Sequence, residues 1–491
     1  MRRFIFVISV TVSLLPAMAQ SKKAVPGAPK VPQAVSLAAD PAVGKRLQQA
    51  LQVLSGDPQM KHAIYSLFVR DEASGKVLSD INDQIGLAPA SNQKVIVSTA
   101  ALELLGEDFQ YQTRLACDGS VVGGVLKGNL YVVGSGDPTL GSWRYEGSKE
   151  EDVMEAIHGM LQRAGITRIE GNILIDDHKF SLQPVPRGWV WEDLGNYFGA
   201  GARGINWHEN QYDLDLEPGG KPGDPTHVIA RRPELDGDTL LNGILTGKPG
   251  SPDGSNIYFS PLSTVGYMDG TVPPGANLTI GGSIPDPERQ FALEVRTRCN
   301  GAWNIPVTGG TFSNLDFLKE SKPFPGFTTV LGSIPSPSLD SIVYWFLKKS
   351  INLYGEALVK TLSLQKTQIA NTDTGVAIVR NFWSLRGVDL SAFHIMDGSG
   401  LSPQNRVTTF GLVTVLEYAL KQPWFPAFYD ALPVIDGITM KSGSIGGARA
   451  YSGYVGGKDG KRYTFSFIIN NYDGSGAEIQ RKMWKVLDEL K

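Results

Sequence analysis

The stretch from Leu105 to about Phe327 limits the possible folds more than any other part of the chain. It is rich in Gly, Pro and Asp and has only short apolar runs, such as Leu130 to Val133 and Asn172 to Ile175. A stretch of this length cannot be a loop inside one compact domain, so it reads as one or two inserted β-rich domains. Phe291 to Arg298 alternates like a strand, with Phe291, Leu293 and Val295 on one face, and Thr167 to Ile175 does so more loosely.

The two ends have a more regular texture. Pro41 to Leu54 is predicted helical, with Val43, Leu47, Leu51 and Leu54 on one stripe. Ala63 to Val69 and Lys76 to Ile81 read as strands around a polar turn, and a helix follows from about Asn92 to Leu105, stopped by Gly106. At the far end, Leu339 to Lys349 and Leu353 to Leu364 are helical stretches. Ala448 to Val455 and Tyr463 to Tyr472 are strands joined by a Gly-Lys-Asp-Gly turn, and Ala477 to Leu490 is an amphipathic helix. The expected fold is therefore α+β: an antiparallel sheet flanked by helices, built from both chain ends and split in sequence by the insert.

Three polar motifs fall in these ends. They are Ser91-Asn92-Gln93-Lys94, Ser350-Ile351-Asn352 and Lys441-Ser442-Gly443, which read in order as SxxK, SxN and K[ST]G. SxxK also occurs at Ser363-Lys366, so the argument rests on the ordered set and not on any single match. The set suits serine acyl transfer without a histidine. A neutral hydroxyl needs an adjacent base, and three residues along a helix Lys94 lies on the same face as Ser91. A lysine serves as that base only when burial or a nearby cation lowers its pKa, and Lys441 is the candidate cation. Ser91 begins a helix, where free N–H groups favour developing negative charge, and the N–H groups of Ser91 and Ser444 are candidates for an oxyanion hole. Ser350-Ile351-Asn352 falls in a joint between two helices, where a loop can aim polar side chains into a cleft.

Met1-Arg2-Arg3, the apolar run Phe4 to Leu15 and Ala17-Met18-Ala19 read as a secretory signal peptide cleaved after Ala19. The run is shorter than the roughly 20 residues of a bilayer span, and no later segment is long and apolar enough to be one. Residues 20–36 read as a flexible leader. The product is expected to be periplasmic or in the cell envelope, with no transmembrane segment and with peripheral attachment left open. With 46 basic against 49 acidic residues, nothing favours nucleic acid. Cys117 and Cys299 suit either one disulfide or two buried thiols.

The motifs and their spacing resemble the class C, type-4 penicillin-binding proteins, the S13 family of D-alanyl-D-alanine carboxypeptidases and endopeptidases. So do Gly134-Ser135-Gly136-Asp137-Pro138, Gly188-Trp189, Asp397-Gly398-Ser399-Gly400-Leu401-Ser402 and the run from Ser350 to Glu356. The resemblance implies a penicillin-binding transpeptidase-like domain in two parts, 37–106 and 328–491, around an insert at 107–327. It also implies roles. Ser91 attacks the D-Ala-D-Ala carbonyl of a peptidoglycan stem peptide, Lys94 takes the proton and Ser350 relays it to the leaving amine. Asn352 holds the substrate amide, and Lys441 with Ser442, ahead of Gly443 and Ser444, binds the terminal carboxylate. β-Lactams are expected to acylate the same serine, and no cofactor or metal is expected. Ser442, Ile351 and Gly355 depart from the commoner family residues, which bears on substrate preference and not on the reaction.

Other features have plainer readings beside the functional ones. Asp397 to Ser402 suits a tight turn as well as a cleft wall, and Trp189 and Trp191 suit core better than a sugar platform. Asp176-Asp177-His178 lacks spaced metal ligands, Ser402-Pro403-Gln404-Asn405 is one residue too long for SxN, and Glu356 reads as structural. Two rival functions use the same sequence: a β-lactamase or esterase with the same kit, and a catalytically idle wall-binding module.

Overall fold

A computed structural model describes residues 41–235 and 237–491. The signal peptide and the 20–36 leader lie outside the described residues. Among these residues, the two chain ends build one six-stranded antiparallel sheet in the order Val77–Ile81, Ile64–Asp71, Arg462–Asn470, Ala448–Gly456, Ile438–Ile445 and Val434–Ile435. Its central register sets Leu67 opposite Phe467 and Ser452 opposite Ser466.

Alternation along these strands separates two cores. On one face Leu67, Val69, Phe465 and Phe467 pack under the first helix, Pro41–Ser55, and the last, Gly476–Leu487, which contribute Leu47, Leu51, Ile479 and Met483. Each such fully buried side chain stabilises the fold by about 1.5–3 kcal/mol. The opposite face carries small hydroxyl residues. Ser66 bonds Thr409 there, and Ser452 bonds Ser466. Small side chains let helices come close, and a second core forms around the helices Gln93–Leu105, Leu339–Lys348, Asn352–Thr367 and Thr409–Ala419. Gln93–Leu105 is buried from Gln93 through Leu102, so most of it runs through the interior and only its last turn reaches solvent.

The middle of the chain forms its own sheets. The largest runs Thr311–Ser313, Ile173–Asp176, Leu130–Val133, Gln112–Cys117 and Thr329–Pro335, with parallel pairing at its first two junctions and antiparallel at the others. Two helices, Glu150–Arg163 and Pro287–Asn300, share its hydrophobic core, so this region is mixed and not purely β.

Phe291 to Arg298 therefore does not form the expected strand. Asp286 caps the helix by accepting from the Arg289 N–H, and Pro287 occupies its first turn. Phe291, Val295 and Cys299, four residues apart, make the buried stripe, whereas Leu293 is only half-buried. The Phe-Leu-Val alternation is a by-product of that four-residue spacing. Thr167 to Ile175 is broken into Arg168–Ile169 and Ile173–Asp176. Cys117 and Cys299 are two free thiols buried in the same core, which is the unbonded alternative. Among the described residues, no helix is long and apolar enough to cross a membrane.

Candidate active site

The chain enters the interior through a single tight turn, Ala90–Asn92, which leads into the helix Gln93–Leu105. Ala90 is in the left-handed region at φ 48°, and the Asn92 N–H returns to the Pro89 carbonyl. Two glycines press on this turn from different sides. A Cβ on Gly443 would lie 2.4 Å from the Pro89 oxygen and 3.0 Å from the Ser91 nitrogen. A Cβ on Gly400 would lie 2.0 Å from the Ala90 oxygen. The third motif thus carries glycine because its strand abuts the backbone of the first.

Lys94 is fully buried one turn after Ser91. Its Nζ lies 2.9 Å from Ser91 Oγ, 2.7 Å from Asn352 Oδ1 and 2.7 Å from the Ser399 carbonyl oxygen. The last two groups are acceptors and can take the two N–H bonds of a neutral amine. The amine lone pair then faces the Ser91 hydroxyl, as a general base requires. Burial first, and the Lys441 charge second, hold Lys94 well below the ordinary lysine pKa, while Asp397 and Glu356 oppose them. Lys441 is itself buried, its pKa is pushed down to about 7 by desolvation, and its Nζ donates to the Ser442 carbonyl at 2.9 Å.

Ser350 stands between the helices Leu339–Lys348 and Asn352–Thr367 at φ 60°, a strained conformation for serine. Asn352 opens the second helix and uses both ends of its amide: Oδ1 faces Lys94 and Nδ2 donates to the Phe198 carbonyl at 2.8 Å. A cavity of 630 Å³ is lined by Ser91, Ser350, Asn352 and Ser444. Lys94, Lys441 and Gly443 are buried outside that lining, and Ser442 is half-buried on the same strand as Ser444. All three motifs meet at one place.

The sequence reading missed some of the cavity wall. Arg144, Asp193, Tyr197 and Glu209 come from the middle of the chain. Three successive residues, His208, Glu209 and Asn210, lie in the left-handed region. Glu209 Oε1 accepts from Ser142, Arg144 and Tyr354 at 2.7, 2.9 and 2.7 Å. No local pattern marks these residues. Burial raises Asp193 to about 6, with the neighbouring Glu192 adding to the effect.

Asp397 to Ser402 is both a tight loop and cleft wall: Gly400 and Leu401 line the cavity, and the Ser399 carbonyl holds Lys94. Gly355 packs on this loop, since a Cβ there would lie 2.8 Å from the Gly398 oxygen. Trp189 donates its indole N–H to Asp397, and Trp191 is exposed against Tyr258. Asp176 pairs with His178, and Asp177 with Arg203. The duplicate Ser363 donates to the Ile369 carbonyl at 2.6 Å, and Ser402 to the Gly188 carbonyl at 3.1 Å, so both hydroxyls serve local structure. Glu150, His208 and Glu294 place ligand atoms within 4.8 Å of one another. Arg298 engages Glu150, while Trp207 and Gln290 engage Glu294.

Comparison with known proteins places the chain in a family. The profile described as the D-Ala-D-Ala carboxypeptidase 3 (S13) family matches residues 47–490. The chain belongs to the S13 family. That makes it a serine-type D-Ala-D-Ala peptidase. Among its S13 relatives, a D-alanyl-D-alanine carboxypeptidase of Actinomadura sp. (strain R39) is 27% identical over 459 residues, 87% of this chain and 81% of the relative. The D-alanyl-D-alanine carboxypeptidase DacB of Haemophilus influenzae is 24% identical, covering 83% and 85%. The crystal structure of penicillin binding protein 4 from H. influenzae superposes with a TM-score of 0.75 at 20% identity, over 90% of this chain and 97% of that one. It carries the same fold.

Proposed function

We propose that this S13 peptidase cleaves D-Ala-D-Ala termini and D-Ala-linked cross-bridges of peptidoglycan stem peptides through an acyl-enzyme on Ser91. Ser91 Oγ bonds to the carbonyl carbon of the penultimate D-Ala as its proton passes to Lys94 Nζ. The N–H groups of Ser91 and Ser444 stabilise the oxyanion. The C–N bond then breaks, and Ser350 relays the proton to the departing amine. Water attacks the ester, its proton goes to the same lysine, and Ser91 leaves with a proton restored. Asn352 orients the substrate amide, and Lys441 with Ser442 receives the terminal carboxylate, since an ammonium and a hydroxyl suit an anionic group.

The observation that supports this most is the 2.9 Å contact between Lys94 Nζ and Ser91 Oγ, with two non-donating partners for the remaining N–H bonds. The sheet shared by both chain ends supports reading the middle as an insert. Because Thr329–Pro335 pairs with Gln112–Cys117, we place the insert's end nearer 335 than 327. The signal peptide read at residues 1–19 supports action outside the cytoplasmic membrane, on the cell wall. β-Lactams, one of which is complexed with the H. influenzae protein, are proposed to acylate Ser91 here. Fluorescent penicillin is expected to label the wild type durably and to leave Ser91→Ala unlabelled. Monomeric and cross-linked muropeptides, with products identified by mass, measure the balance of the two cleavages. No label on the folded wild type would refute the assignment of Ser91.

A further inference from the structure

Two sequence motifs whose side chains take no part in the proposed chemistry, Gly188-Trp189 and Asp397 to Ser402, meet at one fully buried carboxylate. Asp397 Oδ1 accepts from Gln93 Nε2 at 2.8 Å, the Gly400 N–H at 2.8 Å and Asn405 Nδ2 at 3.0 Å. Its Oδ2 accepts from Trp189 Nε1 at 2.9 Å and the Ser402 N–H at 2.7 Å. All five partners are donors, so only an acceptor on both oxygens satisfies them, and an amide of the same shape does not.

These five bonds come from four places. Gln93 directly precedes Lys94, and its Nε2 also reaches the Asp397 carbonyl at 2.6 Å, which fixes the first turn of the nucleophile helix against the loop. Gly400 and Ser402 are the loop's own backbone. Trp189 belongs to the middle of the chain, where Gly188 at φ 80° docks tightly: a Cβ there would lie 2.7 Å from Ser402 Oγ. From the other side Glu356 accepts the Gly398 and Ser399 N–H groups at 3.1 and 2.9 Å. The Ser399 peptide, whose carbonyl takes one Lys94 N–H, is therefore held before and after by the carboxyl groups of Glu356 and Asp397, which face no substrate.

We propose that Asp397 is a positioning residue for the lysine base: it fixes the Ser399 carbonyl and the Gln93 turn around Lys94, and makes that grip depend on the docked Gly188-Trp189 segment. The proposal rests on Ser91 and Lys94 being the acylating pair. If the grip loosens, the lone pair of Lys94 swings off the Ser91 hydroxyl. The acylation step then slows while binding before it does not change.

The test is stopped-flow acylation of the full chain by fluorescent penicillin over a range of concentrations. It separates the limiting acylation rate from the dissociation constant of the initial complex, with labelling stoichiometry as the count of active sites. Asp397→Asn is expected to lower the limiting rate by about a hundredfold, and Trp189→Phe by about threefold or more, with the dissociation constant unchanged. A role in folding alone would lower the stoichiometry or the melting temperature and leave the limiting rate of the labelled fraction intact, and that result overturns the proposal. If Asp397→Asn does not fold by circular dichroism, Trp189→Phe decides: a slower limiting rate at unchanged dissociation constant supports the proposal, and an unchanged limiting rate overturns it. A wild type that takes no label refutes the Ser91 assignment instead.

Discussion

Gly443→Ala places one methyl group where three motif residues meet the nucleophile turn. The added carbon would sit 2.4 Å from the Pro89 oxygen, against an ordinary contact of 3.4 Å or more, and 3.0 Å from both the Ser91 and Asn92 nitrogens. All three are backbone atoms, so no side chain can swing aside. Relief requires the strand and the turn to part by about 1 Å, the difference between the two distances. Overpacking of this kind costs about 1–3 kcal/mol of stability. The kinetic effect is larger, because the turn carries Ser91 and the strand carries Lys441 and Ser444, and a misplacement of about 1 Å costs about a hundredfold in rate. The assay is the rate of fluorescent-penicillin acylation, with urea denaturation for stability. Gly456→Ala is the control, since nothing lies within 4 Å of a Cβ there. If Gly443→Ala acylates within threefold of the wild type, the close approach of the two motifs does not govern catalysis and the argument from that contact fails.

Acylation should rise with pH as Lys94, held below the ordinary lysine range, loses its proton, and fall again as Lys441 discharges near pH 7. A rate constant that neither rises from acid to neutral pH nor falls from neutral to alkaline pH would exclude both roles. Glu356 is pushed up to about 8 by burial, with Asp397 the next cause, so it is mostly a neutral acid at pH 7. Glu356→Gln should accordingly keep near-native stability, whereas Glu356→Ala strands the Gly398 and Ser399 N–H groups and should lose about 3 kcal/mol in urea denaturation. Equal losses in the two variants would show that the hydrogen bonds are not what Glu356 supplies. Ser350→Gly relieves a left-handed serine and should raise unfolding free energy by about 1 kcal/mol while slowing acylation. Unchanged acylation would remove Ser350 from the proton path.

What the sequence made legible was mainly local. Ser91 and Lys94 are three apart on one helix, and the hairpin strands 448–456 and 462–470 announce themselves by alternation around a glycine turn. The motif order also told that Ser350, Asn352 and Lys441 converge. The wall built from Arg144, Asp193 and Glu209 was not legible, because each is placed by contacts far along the chain and stands in no repeating pattern. Asp397 was visible as part of a polar glycine-rich run, but the carboxylate's five donors come from residues as distant as Gln93 and Trp189. Phe291 to Arg298 was misread for a different reason. A period of four and a period of two share every fourth position, and the deciding signal was the Asp286-Pro287 cap just before it.

The sheet pairs Ile64–Asp71 with Arg462–Asn470, the first substantial strand with the last. During synthesis the early strand and the Ser91 turn therefore emerge long before their partners exist. The insert can fold while they wait, but the site lacks Lys441 and Ser444 until the final residues arrive. Contacts of such separation form slowly and leave strand edges bare in the meantime. Timing thus becomes a safeguard: a hydrolase of this design is inert while it is being made. It acquires its activity only when the C-terminal strands dock, and a chain cut short before Arg462 should carry an intact serine and lysine with no working site around them.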